Sequence, residues 1–218
     1  DGKYRVSFDS GDRITFVAVA ATDTSECSIS TPILGESIKN TWLQLKASSE
    51  KASLQPHAIY YGNLDVIPDD DDILAKSYTI LMKDVRARVR VQIKGLKDRF
   101  GVGNYRVVLE GLRSGIAYDG STTGELVNYD LVGSFDPDGN YMTLPNEVFP
   151  TKDGERVRIK VYKEDGSLLF DRDVDESGNP LEIKKNDDIV FVINASYLTH
   201  ITITIVPWAD INNPASFQ

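Results

Sequence analysis

Val85-Arg86-Ala87-Arg88-Val89-Arg90-Val91-Gln92-Ile93-Lys94 alternates apolar and polar residues without a break. A period of two sends Val85, Ala87, Val89, Val91 and Ile93 to one face of an extended chain and the basic and amide side chains to the other. The stretch reads as a half-buried strand of an antiparallel sheet. The pattern returns downstream, where Val157, Ile159 and Val161 alternate with Arg156, Arg158 and Lys160, and Ile201, Ile203 and Ile205 with Thr202 and Thr204. No segment sustains a helical period beyond about two turns. Strands arriving every roughly 10 to 15 residues point to an all-β sandwich rather than a parallel α/β sheet.

Around that run, Tyr78 to Ile93 reads as a strand pair or one bent strand, and Tyr105 to Leu112 follows after the loop Gly101 to Asn104. Asp119-Gly120, Asp138-Gly139, Asp153-Gly154 and Asp165-Gly166 are Asp-Gly pairs, residue types that tolerate positive φ in tight turns. Asp165-Gly166 lies between the strand-like Val157 to Tyr162 and Leu168 to Asp173, which predicts a β-hairpin. Leu181 to Lys185 and Ile189 to Ala195 precede a last strand, His200 to Trp208. Upstream, Lys3 to Phe8 alternates weakly, Arg13 to Ala20 is a short apolar run, and Thr22 to Lys39 is rich in Ser, Thr, Pro and Gly and reads as a loop. Thr41 to Leu45 and Ala58 to Val66 read as strands. Pro68 followed by Asp69, Asp70, Asp71 and Asp72 does not continue a buried strand. A domain boundary or a long exposed turn is expected there, and the boundary divides the chain into residues 1–76 and 77–218.

Composition narrows the classes. The chain has 218 residues, of which 26% are charged and 41% hydrophobic, values close to those of globular proteins. Its net charge of -9 opposes a nucleic-acid or anionic-membrane partner, since no basic cluster offsets the repulsion. No run approaches the roughly 20 apolar residues that a membrane helix needs. Cys27 is the single cysteine, so an internal disulfide and a multi-thiolate metal site are both excluded. It reads as a surface or half-buried structural thiol.

The residues that carry chemistry form no recognisable constellation. His57 and His200 are too isolated for a metal site with short ligand spacing. Ser114 lacks the strand-turn-helix setting of a nucleophile, and Gly101-Val102-Gly103 lacks the later glycine of a phosphate loop. Asp136-Pro137-Asp138-Gly139-Asn140 spaces oxygen side chains like a calcium loop, but no glutamate closes it, so a plain turn is expected. With 33 acidic residues, spacing cannot select a carboxylate pair for glycoside hydrolysis. Tyr60, Tyr61, Tyr105, Tyr118, Tyr129, Tyr141, Tyr162 and Tyr197 fall in or beside predicted strands, where tyrosines fill sheets more often than they meet ligands. No catalytic, cofactor-binding or metal-ligating residue is assigned.

Several stretches, taken in order, resemble one family. Ala87-Arg88-Val89-Arg90-Val91-Gln92-Ile93-Lys94-Gly95-Leu96, Tyr105-Arg106-Val107-Val108-Leu109-Glu110-Gly111-Leu112 and Tyr118-Asp119-Gly120 are similar to core strands of the minor-subunit and anchor proteins of bacteroidete type V pili. Ile201-Thr202-Ile203-Thr204-Ile205-Val206-Pro207-Trp208 resembles that family's last strand, and Tyr60-Tyr61-Gly62 also fits. The match covers roughly residues 58 to 210. The resemblance implies two tandem transthyretin-like β-sandwich domains and no catalytic residues. It also implies an exported lipoprotein of the outer membrane whose partners are other pilus subunits, met by strand donation. The family's lipid-bearing cysteine stands at the mature N-terminus. Here position 1 is Asp1, and Cys27 lies inside the domain, so the leader and anchoring cysteine are expected to be absent from this sequence. The last strand, Ile201 to Val206, or the first, Tyr4 to Phe8, is the expected docking element. The rival expectation is a carbohydrate-binding surface lipoprotein, with Trp42 and Trp208 as the first sugar platforms to check.

Overall fold

The structure, a computed structural model, describes residues 11, 13–46, 55–67, 77–196 and 201–211. The strands in chain order are β1 (Ile14–Ala21), β2 (Cys27–Ile29), β3 (Trp42–Leu45), β4 (Ile59–Val66), β5 (Lys83–Asp84), β6 (Ala87–Lys94), β7 (Tyr105–Ala117) and β8 (Thr122–Leu131). They continue as β9 (Gly133–Phe135), β10 (Tyr141–Thr143), β11 (Asn146–Val148), β12 (Arg158–Lys163), β13 (Leu168–Arg172), β14 (Asp188–Asn194) and β15 (Thr202–Pro207). Among the described residues the protein is all-β apart from short helical pieces: α1 (Leu96–Phe100) and single 3-10 turns at Ile38–Asn40 and Trp208–Asp210.

Two six-stranded sheets form a sandwich. One runs β15-β14-β6-β10-β9, and β11 also pairs with β6. The other runs β13-β12-β7-β3-β2, and β8 pairs with β7. The alternation at residues 85–94 places Val89, Val91 and Ile93 in a core shared with Phe191 and Ile193 of β14 and with Val107, Leu109, Tyr129, Ile159 and Val161 of the facing sheet. The antiparallel expectation for this run holds on one edge only. β10 and β11 pair with β6 antiparallel, whereas β14 pairs with it in parallel, Val89 opposite Ile189 and Ile93 opposite Ile193. Between β6 and β14 the chain passes through the facing sheet, which is the crossover that a parallel pair requires.

β7 ties the molecule together. A single strand of 13 residues, it pairs with β8 along one edge. Its other edge is shared: Tyr105 to Glu110 pair with β12, and Gly115 to Ala117 pair with β3. The change of partner follows a register shift between Leu109 and Leu112. Gly111 sits there at φ 86, and a Cβ on it would lie 2.6 Å from the Arg156 carbonyl oxygen. A side chain is excluded both by the backbone conformation and by the neighbouring strand. Beneath the second half of β7 a smaller core gathers Cys27, Leu43, Leu45, Ile59, Val85, Ile116 and Phe149.

The third sheet, β1-β4-β5, has three strands among the described residues. β1 pairs with β4 over all eight residues, from Ile14 opposite Val66 to Ala21 opposite Ile59. At Gly62 the segment before β5 crosses the sheet so closely that a Cβ would lie 2.6 Å from the Leu81 carbonyl oxygen.

Several local expectations change. The loop read at Thr22 to Lys39 contains β2, and the run Tyr78 to Ile93 becomes the two-residue β5 and the eight-residue β6 on either side of Val85 and Arg86, with Tyr78 to Met82 outside any strand. Leu181 to Lys185 is not a strand. The Asp165-Gly166 hairpin joins β12 to β13 as expected. Its positive φ belongs to Gly166 alone, while Asp165 Oδ1 accepts from the Ser167 N–H at 2.9 Å. The same division of labour holds at Asp119-Gly120, where Asp119 Oδ1 accepts from Ser121 N–H. In these turns aspartate caps the backbone and glycine supplies the left-handed residue.

Candidate functional site: strand edges and outer faces

The polar residues singled out by chemistry are occupied within the fold. Ser114 is buried, and its Oγ accepts from the Glu125 N–H at 3.1 Å. Cys27 is buried at the start of β2, and burial pushes its thiol pKa up, away from reactivity. Asp136 Oδ1 accepts from the Asn140 N–H at 2.8 Å, so this carboxylate closes its own turn. Among the described residues no group of three or more His, Cys, Asp or Glu converges to hold a metal. His57 is exposed, 3.7 Å from Asp23. His200, Tyr197, Tyr4 to Phe8 and Asp69 to Asp72 lie outside the described residues.

Two longer strands stand at sheet edges without a charged residue of their own. Among the described residues β15 pairs only with β14. Ile203 is buried in the core, and Ile205, opposite Phe191 and so on the same inner face, is 36% exposed. The outer backbone edge of β15 is guarded. Glu176 N–H donates to the Ile203 carbonyl at 2.9 Å, and the strand ends at Pro207, which has no N–H to offer. β1 differs. Among the described residues its sole strand partner is β4, and none of Ile14, Thr15, Phe16, Val17, Ala18, Val19, Ala20 or Ala21 is buried. At its start Arg13 pairs with Asp65, whose carboxyl is held below its ordinary range by hydrogen bonds from Thr15 and Arg13.

The two outer faces of the sandwich are solvated differently. Along the β12 side, Lys160 pairs with Glu110 at 2.8 Å, Arg106 with Asp130 at 2.9 Å, and Arg158 with Asp173 at 3.1 Å and Asp171 at 3.4 Å. This is the polar half of the Arg156, Arg158, Lys160 alternation, placed in water as expected. The polar half of the β6 alternation departs from this at one position: Arg88 is exposed and Gln92 and Lys94 are partly so, but Arg90 is 6% exposed, its guanidinium 3.5 Å from the centre of the Trp208 ring and Nη1 3.1 Å from Asp188. Trp208 and Ile211 pack over Val190, Val192 and Val206, so this outer face carries its own small apolar cluster. Burial pulls the Arg90 pKa down, with Asp188 opposing. Asp188 in turn is held below its ordinary range, chiefly by the hydrogen bond from Arg88. The half-buried reading of β6 fails at Arg90 alone, where Trp208, after β15, lies across the guanidinium. Trp42 is half-buried in β3, and Trp208 has one ring face against Arg90.

A family model for fimbrillin-A associated anchor proteins Mfa1 and Mfa2 matches residues 1–214. The chain belongs to this family. Its fold is that of the fimbrial anchor protein Mfa2 from Porphyromonas gingivalis, with a TM-score of 0.67 at 16% identity over 92% of this chain and 76% of that one. It is similar to a candidate polysaccharide-binding protein from Bacteroides thetaiotaomicron, with a TM-score of 0.61 at 14% identity over 92% of this chain and 78% of that one. A candidate adhesin from Bacteroides ovatus gives a TM-score of 0.62 at 12% identity over 92% and 75% of the two chains. No curated protein matches by sequence. Membership of the fimbrial anchor family assigns this chain to the cell surface and to the company of fimbrial subunits. Among the described residues no helix is long and apolar enough to cross a membrane. The family motifs quoted above fall on β4, β6, β7, the β7–β8 turn and β15. They are framework strands, and the sequence reading took β1 only as a short apolar run.

Proposed function

We propose that this fimbrial anchor family member is a non-enzymatic anchor or accessory subunit that joins other pilus subunits by strand addition, with β1 as the edge that accepts the incoming strand. The observation that carries the reading is the contrast at the edges. An eight-residue strand with no charge, no proline and no bulge in its pairing with β4 offers, among the described residues, a row of backbone donors and acceptors along one side. Phe16, Val17 and Val19 are half-buried, so an added strand would cover apolar surface as well as pair backbone. The guarded edge of β15 favours β1 over the terminal strand.

The finer points of this reading are proposals too. The chain comprises two transthyretin-like domains, residues 1–76 and 77–218, that share a sheet through the pairing of β3 with β7. Limited proteolysis is expected to nick near residues 68–76 and leave a stable fragment beginning near Ser77; cleavage scattered through the chain would argue against the division. In the cell the full protein is held at the outer membrane by a lipid.

Adjacent prolines test the edge. Along a strand, successive N–H groups point to opposite sides. Of Val17→Pro and Ala18→Pro, one therefore breaks a bond to β4 and the other removes an outward donor. The variant that keeps the wild-type melting temperature should reach the cell surface and fail to retain pili, which then appear in the medium. Full retention of pili by that folded variant would overturn the assignment of β1.

A further inference from the structure

We infer that one end of the sandwich, around Tyr105 and Arg106, is a binding site for a neutral oligosaccharide. The proposal is independent of the β1 edge. Two depressions of about 440 and 530 Å³ flank the start of β7 and share Asn104, Tyr105 and Arg106. The first is walled by Tyr162 to Glu164 at the end of β12, and the second by Asp130 to Phe135 where β8 turns into β9. Both fall in the size range of small-molecule sites, and a shared ridge joining two open hollows suits an extended ligand better than a compact one.

The floor is rigid. Tyr105, Phe135 and Tyr141 meet edge to face, with ring centres 5.4 to 5.9 Å apart. The Tyr141 hydroxyl donates to the Tyr105 carbonyl at 2.7 Å, and the Tyr105 hydroxyl donates to the Gly101 carbonyl at 2.8 Å. In the first depression Tyr162 is half-buried, with the Arg106 guanidinium 5.7 Å from its ring centre. Arg106 makes two hydrogen bonds to Asp130, at 3.0 and 3.1 Å, and Asn104 donates to Glu164 at 3.2 Å.

These groups select the ligand class. Arg106 and Lys163 are balanced by Asp130 and Glu164, so the site is neutral on a chain of net charge -9 and favours neither an anion nor a cation. Planar guanidinium, amide and carboxylate groups, held in place by pairing with each other, present donors and acceptors at fixed spacing. Adjacent hydroxyls of a sugar match that spacing, since each hydroxyl both donates and accepts. The Tyr162 ring adds a stacking surface for the C–H face of a pyranose.

The test is saturation-transfer NMR on the purified full chain with cellohexaose, maltohexaose and mannohexaose as probes. At least one probe should receive saturation, and Tyr162→Ala should weaken its binding roughly tenfold. Tyr162→Phe, which keeps the ring, should bind as the wild type does. Absence of transfer to all three sugars would overturn the proposal. So would equal binding by a folded Tyr162→Ala variant, which would place any sugar contact elsewhere. Neither result bears on whether pili are retained by β1.

Discussion

β1 and β15 are both edge strands free of charged residues, yet the fold treats them in opposite ways. β15 lies against the main core, gives Ile203 and Val206 to buried clusters, accepts a hydrogen bond from Glu176 on its outer side and stops at a proline. β1 belongs to a three-stranded sheet in which it buries no residue, and nothing among the described residues pairs with its outer edge. An exposed apolar edge is a hazard that folded proteins suppress unless they use it. Among the described residues the hazard is suppressed at one strand and not at the other, and this difference is the ground for proposing β1 as the working edge.

The comparison is open to attack at several strengths. The largest effect should come from Phe191→Ala, which empties a fully buried site in β14 and is expected to cost about 3 to 5 kcal/mol, against about 1 kcal/mol for Phe16→Ala in β1. Urea denaturation of both variants measures the difference, and equal losses would mean that β1 is as embedded as β14. Next come prolines in β15. The Glu176 bond to Ile203 marks the odd-numbered residues as those whose backbone groups face outward. Thr204→Pro should therefore cost about 3 kcal/mol by removing a bond to β14, and Ile205→Pro far less. A reversed order would reassign the guarded edge.

Trp208→Ala should cost about 2 kcal/mol, through the lost cover over Val190 and Val192 and the lost cation–ring contact with Arg90. The smallest effect is electrostatic. The Asp188 carboxyl is depressed in the folded protein by Arg88 and then Arg90. It therefore contributes stability above its unfolded pKa, and this is lost as pH falls through the folded value. Asp188→Asn should be less stable at neutral pH by about 1 kcal/mol and should lose less stability on acidification than the wild type. Parallel pH profiles would show that the Arg88 and Arg90 pairings carry no net stability.

Much of the framework was legible because it is written in local periodicity. Val89, Val91 and Ile93 could only share a face, and Asp165-Gly166 could only be a turn, whatever else the chain did. The short pieces β2, β5 and α1 carry too few residues for a period to show. The proposed sugar site was half-visible: Tyr105, Tyr141 and Tyr162 were named as sheet tyrosines, but their convergence with Asp130 and Glu164 depends on three connections meeting at one end. Arg90 was assigned to water on sound grounds and is buried by a tryptophan 118 residues further along the chain.

By itself the sequence determined that this is a β protein, which residues of each long strand look inward, and where the tightest turns fall, because side-chain alternation and the freedom of glycine act within a few residues. Only the tertiary structure decided which strands became edges, which edge was guarded, that β14 lies parallel to β6, and which outer face would be covered. Those outcomes depend on hydrogen bonds and apolar contacts between segments far apart in the chain, and local pattern holds no record of them.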